Sequence, residues 1–255
     1  MNSGCSWTRD ELILAINLYL KIEFGKMHSR NPEIIQLAKI LYRTPGSIAF
    51  KLVNFASLDP DMKKRGIKGA SHSSSLDKEV WNQFYENWDT TFEKSEELLV
   101  KVKQVSVADM YDIDLTDIQQ KGIDKKRLVN TRVNQYRFRR MVLANFQGTC
   151  CITGLQQNDL LIASHITLWS KFENNRLNPA NGLCLNALHD KAFESGLITV
   201  SAEDYTIKIS SLLKKRKETE VENYFLKYEG KKILLPHKFL PAKDFLFIHN
   251  KHFIA

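Results

Sequence analysis

Residues 146–201 read FQGTCCITGLQQNDLLIASHITLWSKFENNRLNPANGLCLNALHDKAFESGLITVS, and this stretch decides the fold of the second half of the chain. Two apolar runs, residues 150–155 and 160–166, favour strands. A polar loop rich in Asn separates them from residues 183–194, which read as a short helix stopped by Ser-Gly. Residues 197–200 read as a further strand. The predicted order is strand, strand, loop, helix.

Three polar side chains stand out in this stretch. His165 ends the second predicted strand, Asn181 lies at the loop exit before a glycine, and His189 lies in the predicted helix. A His-Asn-His order alone is a weak pattern, since a buried structural histidine or a turn asparagine also produces it. The placement of the three on strand end, loop and helix makes the pattern specific.

The three residues and their flanks resemble the signature of the HNH endonucleases, the ββα-metal nucleases. The matching text is CCITG before the hairpin, ASHI at His165, NGLCL at Asn181 and LHDKAF at His189. It is similar to the HNH branch found at the C-terminal end of many bacterial restriction endonucleases. A weaker resemblance covers most of the remaining chain, including QYRFR before this stretch and LLPHKFLP after it.

The resemblance implies a metal-dependent DNA endonuclease that hydrolyses phosphodiester bonds in restriction or phage defence. It assigns His165 as the general base, Asn181 as the residue that positions the His-bearing loop, and His189 as a metal ligand. A neutral imidazole can take a proton from water at pH 7, which contributes roughly 10²–10⁴-fold in rate. The alternatives are a homing or phage-type HNH nickase and a catalytically dead HNH-fold DNA-binding protein.

Ser164 departs from the family pattern, in which Asp or His before the general base is the other metal ligand. Either a hydroxyl or a water fills that position, or Asp190 or Glu194 supplies a carboxylate. A site with so few protein ligands suits a hard ion that keeps several waters. We therefore expect Mg²⁺, with Mn²⁺ as the other possibility.

The cysteines do not form the CxxC pairs that hold a structural zinc in some HNH proteins. Thr153 and Leu188 stand where two of those cysteines would be. Because a structural zinc needs four ligands, we expect none here and interpret the four cysteines as reduced thiols.

Residues 7–58 read as three helices. Thr8-x-x-Glu11 is a capping box, and Asn31-Pro32 and Thr44-Pro45 each place a capping side chain before proline. The tight junction between the second and third helices resembles a helix-turn-helix or Myb-like unit. The other interpretation is a plain helical bundle whose third helix faces solvent.

Basic and polar side chains on two helices are the predicted DNA contacts. The third helix is expected to point Ser47, Lys51 and Asn54 outward, with Arg43 at its start. Residues 131–146 are predicted to form a basic helix. Its Arg137 and Arg140 either contact phosphate beside the active site or clamp the HNH hairpin.

The predicted fold is α+β, with an α-helical, helix-turn-helix-like N-terminal domain followed by a ββα-metal HNH nuclease domain. The helical domain covers residues 1–102 and contains a basic linker at 60–75. A connector at 103–130 leads to the nuclease domain with its C-terminal extension, residues 131–255. An aromatic stripe is expected in the core rather than stacked on bases: Val80, Phe84, Trp88 and Phe92.

Composition agrees with a polyanionic partner. The net charge is +8, which suits double-stranded DNA. No apolar run approaches the roughly 20 residues of a membrane span, and the N-terminus lacks a signal-peptide layout, so we expect no membrane association and a cytoplasmic location. One HNH site attacks one strand at a time, so a homodimer on DNA is expected, with residues 81–92 and the apolar tail as candidate surfaces.

Overall fold

The computed structural model describes residues 6–66, 73–105, 107–110, 125–167 and 175–254. Helices and two small antiparallel sheets fill these ranges, which confirms the predicted α+β class. Parts of two predictions lie outside the described residues: residues 67–72 of the basic linker, and residues 106 and 111–124 of the connector.

Helices dominate the described chain and largely precede the sheets. In chain order they are α1 (Arg9–Lys21), α2 (Pro32–Ile40), α3 (Pro45–Ala56), α4 (Pro60–Lys64), α5 (Ser75–Glu86), α6 (Trp88–Lys103), α7 (Val107–Met110), α8 (Lys125–Asn145), α9 (Ala187–Glu194), α10 (Ser211–Lys214), α11 (Thr219–Tyr224) and α12 (Lys243–Asn250). The strands are β1 (Leu161–His165), β2 (Gly182–Asn186), β3 (Ile198–Val200) and β4 (Ile207–Ile209). None of the described helices is both long and apolar enough to cross a bilayer.

The first three helices begin where the sequence predicts. The Thr8 hydroxyl accepts from the Glu11 N–H, and the Glu11 carboxylate accepts from the Thr8 N–H at 2.8 Å. The side chains of Asn31 and Thr44 cap α2 and α3 by accepting from a backbone N–H, each before a proline. These starts are predictable because each cap satisfies backbone N–H groups within one helical turn.

Helix α1 is the centre of the helical part, and it packs against α3, α5, α6 and α8. Tyr19 of α1 is fully buried and meets Phe55, Trp81 and Phe239 edge-on. The predicted aromatic stripe is buried as expected, although Asn87 separates it into α5 and α6. That stripe is core of the same chain, so it does not serve as a dimer surface.

The outward face predicted for α3 is wrong. Lys51 and Asn54 are buried, and Ser47 is only half-exposed. Lys51 reaches Asp77 of α5, and Phe50 is the large side chain of α3 that faces outward, 52% exposed. Helix α5 covers this side of α3, and a single-helix pattern does not reveal where a distant helix packs.

Arg43 is likewise directed into the protein rather than towards DNA. Its guanidinium donates two hydrogen bonds to Glu11 and one to the Ser6 carbonyl. It also lies over the Trp7 ring, 4.3 Å from the centroid. Because Arg43 is held by a carboxylate and an aromatic ring, it stabilises the segment just before α1 and is not available to phosphate.

Residues 60–64, predicted as part of the basic linker, form α4. The Asp59 carboxylate caps this helix, and Met62 is fully buried. Proline at the first helical position is compatible with the cap, because a backbone N–H at that position would have no partner within the helix. The linker prediction is wrong for these residues.

The C-terminal tail packs against the helical part. Lys238 is fully buried and donates from Nζ to the carbonyls of Tyr19 and Ile22 at the end of α1. Phe239 stacks on Trp81 in the aromatic core. This part of the tail is therefore committed to the fold of its own chain.

The C-terminal part is built on the antiparallel pair β1–β2, in which Leu161 lies opposite Asn186 and His165 opposite Gly182. Residues 150–155, predicted as a strand, form tight turns instead. Residues 183–186, predicted as the start of the helix, belong to β2. Helix α9 starts later because the Asn186 side chain caps it by accepting from the His189 N–H.

Helix α8 lies directly behind this hairpin. A Cβ at Gly182 would stand 2.4 Å from Val142 Cγ2 and 3.0 Å from Phe138 Cζ, so only glycine lets β2 approach α8 this closely. Val142 and Phe138 are buried in this contact. Gly182 is thus required by the packing of β2 against α8.

Candidate active site

His165 ends β1, and the fold holds its ring on two sides. Its Nε2 lies 3.0 Å from the carbonyl oxygen of Arg176, and its ring stacks on Phe138 with centroids 3.6 Å apart. Because a carbonyl oxygen can only accept, the proton of the neutral imidazole is on Nε2 and the basic lone pair is on Nδ1. Burial lowers the pKa of His165, which favours the neutral form at pH 7. This is the state that a general base needs.

Asn181 connects the two ends of the loop between β1 and β2. Its side-chain oxygen accepts from both the N–H and the hydroxyl of Thr167, each at 3.0 Å. Its amide nitrogen donates to the Asn175 carbonyl at 3.3 Å. Asn181 is 2% exposed, so these hydrogen bonds are shielded from water. They hold the backbone two residues beyond His165.

A cleft of about 800 Å³ opens beside His165. Ser164 and His165 line it from β1, and Asp190 and Glu194 line it from α9. The hairpin brings these elements together because β2 pairs with β1 and leads directly into α9. The cleft therefore brings the His165 imidazole together with the oxygen-bearing side chains of Ser164, Asp190 and Glu194.

Asp190 is the carboxylate that faces β1 most directly. Burial raises the pKa of Asp190, and the nearby Ser164 hydroxyl lowers it in part. The Ser164 Oγ is buried, yet it makes no hydrogen bond within 3.5 Å among the described residues. A buried hydroxyl next to a carboxylate, with unused hydrogen-bonding capacity, is compatible with a bound cation or water between them.

His189 does not line this cleft. Its Nδ1 lies 2.9 Å from the Asn186 side-chain oxygen, and its Nε2 lies 2.9 Å from the Tyr224 carbonyl. The ring is buried and packs against Phe225 and Tyr228. With both nitrogens against oxygen atoms, metal ligation by His189 would require the ring to give up one of these contacts. The assignment stays a prediction that this geometry does not favour.

The cleft suits a hard ion held by few protein groups. Within the described ranges, no three His, Cys, Asp or Glu side chains are grouped so that they could hold a metal by themselves. The available donors are the carboxylates of Asp190 and Glu194 and the Ser164 hydroxyl. Oxygen donors of this kind, completed by water, are what Mg²⁺ binds.

Three arginines of α8 serve the fold in different ways. Arg139 donates to the carbonyls of Leu161 and Asn158 and so clamps the hairpin. Arg137 is buried beside Glu96 of α6, and Arg140 bonds to Glu33 of α2. The prediction that Arg137 contacts DNA is therefore not supported by its position. Arg140 keeps about a third of its side chain exposed.

Asp89 is a residue near the site that the sequence did not reveal. It lies in the first turn of α6, and its carboxylate accepts from the backbone N–H groups of Arg176 and Leu177. An acidic residue in a first helical turn is common, since it favours the helix dipole. Nothing in its local sequence therefore indicates a contact with a loop almost 90 residues further on.

Comparison with known proteins points to the same part of the chain. Residues 150–201 match the model of a family described as HNH endonuclease. The search of curated proteins found no matching relative. The match begins at the turn before β1 and ends after β3, so it includes His165, Asn181 and α9. The chain therefore carries an HNH endonuclease domain over residues 150–201, C-terminal to its helical region.

Proposed function

We propose that this protein is a DNA endonuclease that depends on a divalent metal and acts in restriction or another form of phage defence. The observation that carries the proposal is His165. It is a half-buried imidazole with Nε2 against a carbonyl, and it lines one cleft with Ser164, Asp190 and Glu194. The net charge of +8 favours a nucleic-acid substrate, and the resemblance to restriction enzymes supports the biological role.

Hydrolysis at this site follows from the tautomer of His165. Nδ1 of His165 takes a proton from a water molecule while the water oxygen attacks phosphorus. The bond from phosphorus to the 3′ oxygen then breaks. The products are a 5′ phosphate and a 3′ hydroxyl. A bound divalent ion would neutralise charge on the phosphate and leaving oxygens. Asp190, Ser164 and Glu194 would hold that ion, and Asn181 keeps the loop beside His165 in place.

A DNA-binding protein without nuclease activity is the second candidate. Ser164 replaces the usual Asp or His ligand, and His189 is turned into contacts with Asn186 and Tyr224. Those two observations favour a loss of metal binding. They do not explain why His165 is kept neutral and oriented in a cleft that contains acidic side chains, and we therefore prefer the enzyme.

Plasmid nicking with purified protein tests the proposal directly. The wild-type chain should relax or linearise supercoiled DNA with Mg²⁺ or Mn²⁺ and should be inactive with a chelator. His165→Ala should abolish cleavage and leave DNA affinity within a few fold. His28→Ala, at an exposed histidine of the helical part, is the matched control and should cleave like the wild type. No cleavage by the wild type with any divalent metal would favour the binding protein.

A homodimer on DNA belongs to the same proposal. A site with one general base hydrolyses one strand at a time. Cutting both strands of a duplex therefore takes two sites, or one site that repositions. The side chains of Trp81, Phe84, Trp88 and Phe92 are buried in the core, so a dimer would use other side chains. Light scattering on a short cognate duplex should give two chains per duplex. One chain per duplex with nicks as the final product would rule the dimer out.

A further inference from the structure

The loop that faces His165 is held from the helical part by one carboxylate. Asp89 Oδ1 accepts from the Leu177 N–H at 2.8 Å, and Asp89 Oδ2 accepts from the Arg176 N–H at 3.2 Å. Leu177 is 1% exposed, so the contact lies at the edge of the core. Two consecutive N–H groups bound by one carboxylate fix the orientation of that backbone segment.

The same backbone segment orients the imidazole. The peptide group between Arg176 and Leu177 presents its N–H to Asp89 and its carbonyl to His165 Nε2, at 3.0 Å. A carboxylate at the N–H end of a peptide polarises the carbonyl at the other end, because hydrogen bonds in a chain strengthen one another. The carbonyl thereby becomes a better acceptor for the Nε2 proton, and Nδ1 becomes more basic.

We propose that Asp89 is a positioning residue for His165 and acts through the Arg176–Leu177 peptide. It selects the tautomer with the proton on Nε2 and keeps the ring plane against Phe138. The inference rests on the proposed nuclease function for its kinetic consequence. It also makes cleavage depend on α6, so the helical part contributes to the chemistry as well as to the fold.

A purely structural role for Asp89 is the competing explanation. Such a role would affect stability and leave the His165 ring as it is in the wild type. The positioning role instead requires that the state of the His165 ring changes when Asp89 is altered in a folded protein. The ring itself is therefore the readout that separates the two.

The experiment uses the full chain with isotope-labelled histidine and the variant Asp89→Asn. The asparagine keeps the shape, but its amide nitrogen faces one of the two N–H groups, so that contact becomes repulsive. We expect kcat to fall by about 10–100-fold, as for other small misplacements of a catalytic group, with KM within a few fold. The ¹⁵N shifts of His165 should move away from the pure Nε2–H tautomer. Asp89→Glu keeps the charge, so it should recover part of kcat and part of the wild-type ¹⁵N shifts of His165.

Glu93→Gln is the matched control, because Glu93 is an exposed carboxylate on the same helix. It should leave kcat and the His165 shifts unchanged. A folded Asp89→Asn protein with wild-type His165 shifts would overturn the proposal, whatever its kcat. A wild-type protein with the proton on Nδ1 would overturn it as well, even if the variants do not fold. If the wild type cleaves no DNA, the nuclease function fails, and the ring readout still decides the role of Asp89.

Discussion

Lys51 of α3 and Asp77 of α5 form a buried ion pair, with Nζ 2.9 Å and 3.0 Å from the two carboxylate oxygens. Asp77 is fully buried, and its second oxygen also accepts from the Ser74 N–H in the capping box of α5. The pair joins the middle of α3 to the first turn of α5. The side of α3 that a helix-turn-helix would present to DNA is thus part of the interior.

Lys51→Ala is expected to destabilise the protein rather than to alter a DNA contact. It would leave the Asp77 charge buried without its partner, which typically costs about 3–5 kcal/mol. Urea denaturation should show a lower free energy of unfolding. Lys39→Ala, at an exposed lysine of α2, is the control and should change stability by less than about 0.5 kcal/mol. A stable Lys51→Ala protein with weakened DNA binding would restore the original assignment.

Asp190 and His189 are neighbours with different predicted roles. Asp190→Asn should abolish cleavage and weaken binding of Mg²⁺ or Mn²⁺, since it removes the carboxylate that faces Ser164. His189→Ala should instead lower the free energy of unfolding by about 1–3 kcal/mol, because the Tyr224 carbonyl loses its partner.

Calorimetric titration with Mn²⁺ in the absence of DNA measures the metal affinity of both variants. Lys208→Ala, at an exposed lysine of β4 that does not line the cleft, provides the control. If His189→Ala loses metal binding while Asp190→Asn keeps it, the ligand is His189, as the resemblance implies.

Cleavage is expected to fall on the acid side of neutrality. The imidazolium form of His165 has no lone pair, so activity is lost as pH falls through its pKa, which burial places below 6.5. Burial also raises the pKa of Asp190, and its protonation adds to the same acid limb. A profile of kcat/KM should be flat from about pH 7 upward. A rate that continues to increase tenfold per pH unit above about pH 8 would indicate another base.

Lys238 should make stability depend on pH. Burial lowers the pKa of Lys238 to about 7 from the ordinary 10.5. Between these values the native state binds fewer protons than the unfolded state, so the free energy of unfolding increases as pH rises. The neutral amine still has two N–H groups for the carbonyls of Tyr19 and Ile22. Lys238→Met should lack this increase, and Lys208→Met, at an exposed lysine of β4, should retain it. If the free energy of unfolding changed equally with pH in the wild type and both variants, the prediction would be contradicted.

A chelator should stop cleavage without unfolding the protein. Burial raises the pKa of Cys184 to about 12 and raises that of Cys151 well above its usual range, which disfavours the thiolate forms. Zinc binds the thiolate form. Circular dichroism and the melting temperature should therefore be unchanged by EDTA. Loss of structure on chelation, with zinc in the released metal, would show a structural site.

Local signals determined much of this protein from sequence alone. The caps at Thr8, Asn31 and Thr44 act through groups within one turn, and the helices begin where these signals stand. The HNH pattern at His165 and Asn181 also depends on spacing along a short stretch of chain. Such features are readable because both partners of each contact lie close together in the sequence.

Only the tertiary structure decided how these elements are combined. Residues 150–155 and 182–186 are both apolar enough for a strand, and the choice of 182–186 came from pairing with β1 across the loop. On α9, one residue is a rotation of about 100°, which separates Asp190 in the cleft from His189 in the core. The pairs Lys51–Asp77 and Asp89–Leu177 join residues 26 and 88 positions apart. A buried charge is stable only beside its partner, and where that partner lies is set by the packing of whole helices.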